Sequence, residues 1–318
     1  MNPVHQKILI VDLMHDSIVP MLLEAGFEAD YRPSITPEEV HDIIHKYDGI
    51  MVRSKLSMDK SLIDKATKLK FVARAGAGID KVDYPYLTAK GIKLINAPEG
   101  NRDAVGEHAT GMLLSLFHNL NRANMEVKSG IWDREGNRGL ELKGKTVGIY
   151  GYGFMGTSFA RKLRGFDCRI LAYDKYKEGS ELDWVARVDL TTLFEETEIL
   201  SIHVPLTSET RGLFDGEYLS KFKNLKVIIN TSRGEVLRLD AVNQLFDSGK
   251  LIGAVLDVLE NEKINQLSDA EQKEFDQLVQ NDKILMSPHV AGWTFESYER
   301  INEVLVSKLK KEGLAQIK

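Results

Sequence analysis

The feature that most restricts this chain is a glycine-spaced turn, Gly151-Tyr152-Gly153-Phe154-Met155-Gly156, placed directly behind the β-branched run TVGIY (146–150). Glycines at this spacing occur by chance, so the flanks decide the reading. The turn leads into a segment whose apolar residues Met155, Phe159 and Leu163 are four apart, which is helical spacing. A strand, a glycine turn and a helix in that order open a dinucleotide-binding unit. Gly151 permits the tight turn, Gly153 lets a pyrophosphate approach the backbone, and Gly156 lets the helix sit close to the strand.

The same alternation continues. After TVGIY come RILAY (169–173), EILSI (198–202), KVIIN (226–230), IGAVL (252–256) and ILM (284–286), and six strands complete a Rossmann-type doubly wound parallel sheet. An earlier series, KILIV (7–11), GIMVR (49–53), KFVAR (70–74) and IKLIN (92–96), alternates with helical segments before residue 98. The length of 318 residues suits two such α/β domains. Val105, Ala109, Leu113, Leu116 and Leu120 give the stretch between them an apolar helical face, and Asn101 is the expected N-cap of that helix. The final segment, SYERINEVLVSKLKKEG, is also helical in period, and pattern leaves open which half it packs on.

Lys+Arg 42 against Asp+Glu 47 leaves a net charge of −5, which argues against nucleic acid as a partner. Cys168 is the single cysteine, and no Cys/His cluster has metal-ligand spacing, so neither a disulfide nor a bound metal is expected. The first residues, MNPVHQKILIVD, lack the basic flank, apolar stretch and cleavage site of a signal peptide, and the apolar runs are short for a membrane helix. A cytoplasmic location is expected.

Open α/β sheets bind ligands outside the carboxyl ends of their strands, and each run of the second series ends in a residue suited to that. Asp174 follows RILAY, 23 residues beyond Gly151, where a carboxylate meets the adenosine ribose and repels a 2′-phosphate; NAD is therefore expected over NADP, with Lys175 and Lys177 nearby. His203-Val204-Pro205, Thr231-Ser232-Arg233-Gly234, Asp257 and Pro288-His289 end the later runs. Arg233 offers a planar, permanently charged fork for a carboxylate. His289 is the histidine placed to exchange a proton, and a carboxylate beside it would raise its pKa. Glu262 and Glu260 both compete for that place. His5, His15, His41, His45, His108 and His118 lie off the strand ends and read as structural or solvated.

Taken together, GYGFMG, AYD, HVPLT, NTSRGEVL, LDVLENE and SPHVAG resemble the D-isomer-specific 2-hydroxyacid dehydrogenases, in order along essentially the whole chain. The resemblance implies catalytic roles for Arg233, Glu262 and His289, and the family's spacing of five residues after the strand-end aspartate selects Glu262 over Glu260. It implies NAD contacts from Gly151, Tyr152, Gly153, Phe154, Met155, Gly156, Asp174, His203, Val204, Pro205, Thr231, Ser232, Arg233, Asp257 and His289. It also implies a flavodoxin-like α/β substrate domain, discontinuous over 1–98 and 289–318, around an NAD-binding domain at 99–288.

In the N-terminal half, VRSKLS, VARAGAGIDKVD and NAPEGNRDAVGEHATGML are most similar to the phosphoglycerate dehydrogenase branch. That branch implies phosphate or carboxylate contacts from Arg53, Arg74, Asn101 and Arg134, the last reaching a neighbouring subunit of a homodimer, and backbone amides from Ala77 and Gly78. Lys263 stands where the family usually has proline. A serine-sensing regulatory domain after the catalytic unit, and feedback through it, is not expected. The implied reaction is NAD-dependent oxidation of D-3-phosphoglycerate, a small, doubly anionic 2-hydroxy acid. Glyoxylate or hydroxypyruvate reduction is the alternative, and a non-catalytic NAD(H)-sensing corepressor-like protein the remote one.

Overall fold

The apolar runs form parallel strands, and two further strands join them at sheet edges. The structure, a computed structural model, describes residues 5–315. The chain divides into two units, Met1–Asn101 with Trp293–Lys318, and Arg102–Gly292, where the sequence reading draws its borders at 98/99 and 288/289.

The first unit holds a five-stranded sheet of β1 (Lys7–Ile10), β2 (Glu28–Tyr31), β3 (Gly49–Val52), β4 (Phe71–Arg74) and β5 (Lys93–Asn96). Its order, β2-β1-β3-β4-β5, with every pair parallel, is the flavodoxin-like order. β2 is absent from the sequence reading. It is an edge strand with an exposed or half-exposed sequence, Glu28-Ala29-Asp30-Tyr31, so it carries no apolar run to be recognised by.

The C-terminal helix, Phe295–Lys311, belongs to this unit. Thr294 caps it by accepting from Ser297 N–H. Ile301, Leu305 and Leu309, one helical turn apart, bury against Ile8, Ile10, Leu22 and Phe71. Each such side chain contributes about 1.5–3 kcal/mol relative to exposure. Gly100 lets the backbones meet, since a Cβ there would lie 2.7 Å from Ile301 Cα.

The second unit holds β6 (Thr146–Tyr150), β7 (Arg169–Tyr173), β8 (Val185–Arg187), β9 (Ile199–Ile202), β10 (Val227–Asn230), β11 (Gly253–Leu256) and β12 (Ile284–Met286). The order is β12-β11-β10-β9-β6-β7-β8. The expected count of six therefore needs correction to seven. β8, the three-residue edge strand Val185-Ala186-Arg187, is too short to show a period. β8-β7-β6-β9-β10-β11 is the dinucleotide-binding order, β12 extends it, and the strand order reverses between β6 and β9. β9, β10 and β11 are wholly buried, as central parallel strands covered on both faces should be.

The helix expected to start at Asn101 begins instead at Pro98 and runs to Phe117. Proline suits a first helical turn, where its missing N–H needs no partner, and Asn101 lies inside that turn. Ala109, Leu113 and Leu116 pack on Val147, Ile149 and Phe159 of the second unit. Among the described residues, no helix is long and apolar enough to cross a membrane.

Candidate active site

The glycine turn is shaped by close approaches. Gly151 has φ +95°, and a Cβ there would lie 2.7 Å from the His203 carbonyl oxygen. A Cβ on Gly156 would lie 2.2 Å from the Gly151 carbonyl oxygen, which fixes how closely the helix Phe154–Lys162 meets the strand. Gly153 has open space where its Cβ would stand, and as N-cap it makes no side-chain cap bond, so the first N–H groups of the helix remain for an anion.

Asp174 ties the end of β7 to this turn. Its Oδ2 accepts from Tyr152 N–H at 2.8 Å, and its Oδ1 accepts from Tyr176 and Lys177 N–H, both at 3.0 Å. The Tyr152 ring is fully buried with its hydroxyl 3.1 Å from Ser180 Oγ, so Tyr152 presents backbone here, while Phe154 is exposed. His203 is buried, its Nε2 2.8 Å from Ser201 Oγ, and burial pushes its pKa down to about 4. Val204 is half-buried and Pro205 exposed.

These residues fit a dinucleotide. Besides the open glycine turn, the buried Thr231 Oγ1 and His203 Nδ1 have no hydrogen-bond partner, although buried polar atoms normally have one.

The loop after β10 is held from below by Asn230. Its buried amide accepts from Ser232 N–H and Oγ at 3.1 and 2.8 Å and donates to the Arg233 carbonyl at 3.0 Å. Gly234 then packs against the backbone of Leu259, where a Cβ would lie 1.8 Å from the carbonyl oxygen. This contact brings the Arg233 loop beside the loop that carries both glutamates.

The two glutamates part company there. Glu260 accepts from Arg238 Nη1 and from Leu239 N–H, both at 2.8 Å, and anchors the next helix. Glu262 instead places Oε1 2.8 Å from His289 Nδ1. That hydrogen bond raises the His289 pKa above 6.5; burial and the Arg233 charge work against it. Lys263 donates its N–H to Asn261 Oδ1 at 3.0 Å, a bond that proline could not make, and Asn261 in turn donates to Glu271 at 3.0 Å. The loop after Glu262 is thus pinned without the proline.

His289 sits in the left-handed region, φ +53°. A non-glycine residue there costs about 1–3 kcal/mol and persists only when its surroundings impose it. Asp257, 1% exposed, imposes it. Its Oδ1 accepts from Ser287 Oγ at 2.6 Å and Val290 N–H at 2.9 Å, its Oδ2 accepts from Ala291 N–H at 2.9 Å, and its carbonyl accepts from His289 N–H at 2.8 Å. Glu262, His289, Leu259, Phe275 and Met286 line a pocket of about 370 Å³.

The first unit carries the other expected positions apart from Arg134. The loop after β3 is held by Asp12, whose buried carboxylate accepts from the N–H groups of Arg53, Ser54 and Lys55 at 2.7, 3.3 and 3.1 Å. The Arg53 guanidinium stacks 3.6 Å from the centre of the Trp293 ring. Arg74, at the end of β4, donates Nη1 to the Ala75 carbonyl at 3.0 Å and lies over Gly76, whose φ of +135° favours glycine. The loop is closed by Asn96 donating to the Ala77 carbonyl at 2.8 Å, with Ala77 and Gly78 half-buried. Asn101 has a buried Oδ1 without a partner. Arg134 lies exposed in the second unit, after the helix Leu120–Lys128.

The structure thus brings Arg233, Asp257, Glu262 and His289 to neighbouring strand ends of one sheet, and Arg53, Arg74, Ala77 and Gly78 to neighbouring strand ends of the other. Sequence reasoning missed Asp12, which has the strand-end signal, since it closes KILIVD. It also missed Trp293 and Ser287, which stand within a few residues of His289 but show no period.

A family model described as D-isomer specific 2-hydroxyacid dehydrogenase, NAD binding domain, matches residues 110–291. A D-3-phosphoglycerate dehydrogenase of Archaeoglobus fulgidus is 30% identical over 305 residues, covering 95% of this chain and 56% of that protein. A hydroxypyruvate reductase of Thermotoga maritima is 35% identical over 275 residues, covering 86% of this chain and 88% of that protein. The structure of a D-lactate dehydrogenase from Aquifex aeolicus, complexed with NAD and lactic acid, superposes with a TM-score of 0.79 at 28% identity, covering 96% and 97% of the two chains. The chain spans about half the length of the curated phosphoglycerate dehydrogenases it matches, as in the 56% above.

Proposed function

The chain belongs to the D-isomer specific 2-hydroxyacid dehydrogenase family, and on that premise we propose that it catalyses the reversible, NAD-dependent oxidation of D-3-phosphoglycerate to 3-phosphohydroxypyruvate. The observation that carries the dehydrogenase part of this reading is the 2.8 Å pairing of His289 with Glu262 beside the Arg233 loop. NAD supplies the redox chemistry when bound. The glycine turn and the free N–H groups of the helix behind it would hold the pyrophosphate, and Asp174 the ribose hydroxyls. Its carboxylate favours NAD over NADP, because a 2′-phosphate would meet like charge.

Arg233 binds the substrate carboxylate with its fork and polarises the oxygen on C2. His289 takes the proton of the C2 hydroxyl during oxidation and returns it to the C2 oxygen during reduction. Glu262 fixes the imidazole tautomer and stabilises the imidazolium. Arg53 and Arg74 are the residues we assign to the second anionic group of the substrate, with Ala77 and Gly78 offering amides to its carboxylate. The phosphoglycerate dehydrogenase relatives support this choice. We place the reaction in serine biosynthesis in the cytoplasm.

Reduction of hydroxypyruvate or glyoxylate is the second reading. The Thermotoga relative favours it, as does Arg74, which turns one N–H onto its own loop.

We further propose a homodimer. Leu120, Met125, Val127, Ile131 and Trp132 expose apolar surface around the helix Leu120–Lys128, and Arg134 stands beside them.

The deciding experiment is a spectrophotometric NAD(H) assay against phosphoglycerate, phosphohydroxypyruvate, hydroxypyruvate, glyoxylate and pyruvate. A kcat/KM for the phosphorylated pair at least tenfold above the others is expected. A preference for hydroxypyruvate selects the second reading. Tight NADH binding without turnover of any acid overturns both and points to dinucleotide sensing.

A further inference from the structure

His108 stands on the long helix Pro98–Phe117, where its period reads as structural, yet the fold carries it behind the turn that presents His289. Its Nε2 lies 2.9 Å from Ser287 Oγ and 3.6 Å from Asp257 Oδ1. Ser287 has one hydroxyl proton and three neighbours for it: Asp257 Oδ1 at 2.6 Å, Met112 Sδ at 3.3 Å and His108 Nε2. The short, charge-assisted bond to the buried carboxylate takes that proton, a thioether being a weak acceptor. His108 Nε2 must then carry hydrogen and donate to Ser287 Oγ. The directions form one relay, from His108 through Ser287 to Asp257.

The end of the relay is the group that holds the left-handed turn. Asp257 accepts from Val290 and Ala291 N–H with its carboxylate and from His289 N–H with its carbonyl. Orienting that carboxylate therefore orients His289 toward Glu262. The helix that bears His108 is itself seated tightly, since a Cβ on Gly106 would lie 2.7 Å from Ser158 Oγ. The donor consequently stands at a fixed height behind the turn.

We propose that His108 is a positioning residue for the His289–Glu262 pair, acting through the Ser287 hydroxyl on the Asp257 carboxylate. This rests on the catalytic reading of His289 given above. It adds a residue that touches neither substrate nor cofactor in that reading.

The test compares His108→Phe, His108→Gln, Ser287→Ala and the double variant His108→Phe/Ser287→Ala, all in the full chain. His108→Phe is expected to lower kcat about 10- to 100-fold, by analogy with the loss of an outer-shell hydrogen bond behind a metal-bound histidine, with KM for NAD little changed. Gln keeps an N–H donor and should recover most of the loss. In the Ser287→Ala background the phenylalanine should cost little more, because the relay is already cut.

A second readout needs neither substrate nor cofactor. The NMR titration of the His289 ring, whose charged neighbours are Glu262, Arg233 and Asp257, should show a lower midpoint in His108→Phe than in wild type, as the Glu262 bond loosens. If His108→Phe does not fold, Ser287→Ala carries the same two readouts. Wild-type kcat and an unmoved His289 midpoint, or full additivity in the double variant, would overturn the relay while leaving the dehydrogenase reading intact. An inactive wild type would overturn that reading, and the NMR result would still decide the relay.

Discussion

Glu262 Oε1 lies 2.8 Å from Nδ1 of His289, in a chain where the neighbouring Glu260 is held away by Arg238 and Leu239. The bond engages one ring nitrogen and leaves Nε2 for the proton exchange proposed above. His289→Ala should lower kcat by about 10²–10⁴-fold, the usual contribution of general acid–base catalysis, with NADH affinity within a few-fold of wild type. Steady-state kinetics and fluorescence titration of NADH check both parts.

The pH profile follows from the sign of the His289 shift. Its pKa is raised, first by the Glu262 hydrogen bond, so oxidation, which needs neutral imidazole, loses rate as pH falls through that raised value. Glu262→Gln removes the anionic partner and should move this acid limb to lower pH, whereas Glu260→Gln should leave it in place and lower the melting temperature. For stability, a raised histidine contributes fully below its unfolded value of 6.5, and the contribution is lost as pH rises through the folded value. Melting curves across that window should flatten in Glu262→Gln.

His203 has the opposite sign. Burial holds its ring neutral, with a pKa near 4 against 6.5 unfolded. The unfolded chain therefore binds a proton that the native state refuses, and stability falls as pH drops from about 6.5 toward 4. The full effect is on the order of 3 kcal/mol, at about 1.4 kcal/mol per pH unit. Denaturant titrations of His203→Asn should show a weaker loss over that range than wild type.

Gly234→Ala tests the contact that joins the two loops. A Cβ 1.8 Å from the Leu259 carbonyl oxygen cannot be accommodated without moving one backbone. The variant should lose about 1–3 kcal/mol, as overpacked sites do, and lose kcat/KM because Arg233 moves with the loop.

Trp293 supports Arg53 by stacking 3.6 Å from its guanidinium. If Arg53 meets the phosphate as proposed, Trp293→Ala should raise KM for phosphoglycerate several-fold, consistent with a cation–π contact worth about 0.5–2 kcal/mol, and Trp293→Phe should recover part of it. Equal losses for phosphorylated and unphosphorylated acids would detach Arg53 from the phosphate.

What was legible in the sequence is what is local along the chain. Central parallel strands are buried on both faces, so TVGIY, EILSI and KVIIN announce themselves as apolar runs; the glycine turn, Asp174, Arg233 and His289 declare themselves by standing where those runs end. β2 and β8 lie at sheet edges and are too polar or too short to signal.

The rest is decided by contacts between residues far apart in the chain. The side of the C-terminal helix depends on Ile301 meeting Gly100 and Phe71. The separate duties of Glu260 and Glu262, two residues apart, depend on which neighbours the fold supplies. His108 and Ser287 are 179 residues apart and Ser287 and Asp257 30 apart, and no spacing rule connects them. Periodicity reports which face of an element is buried, because burial repeats with the element; it does not report which side chain that face will meet, because sheet order and helix docking set that only once the chain has folded.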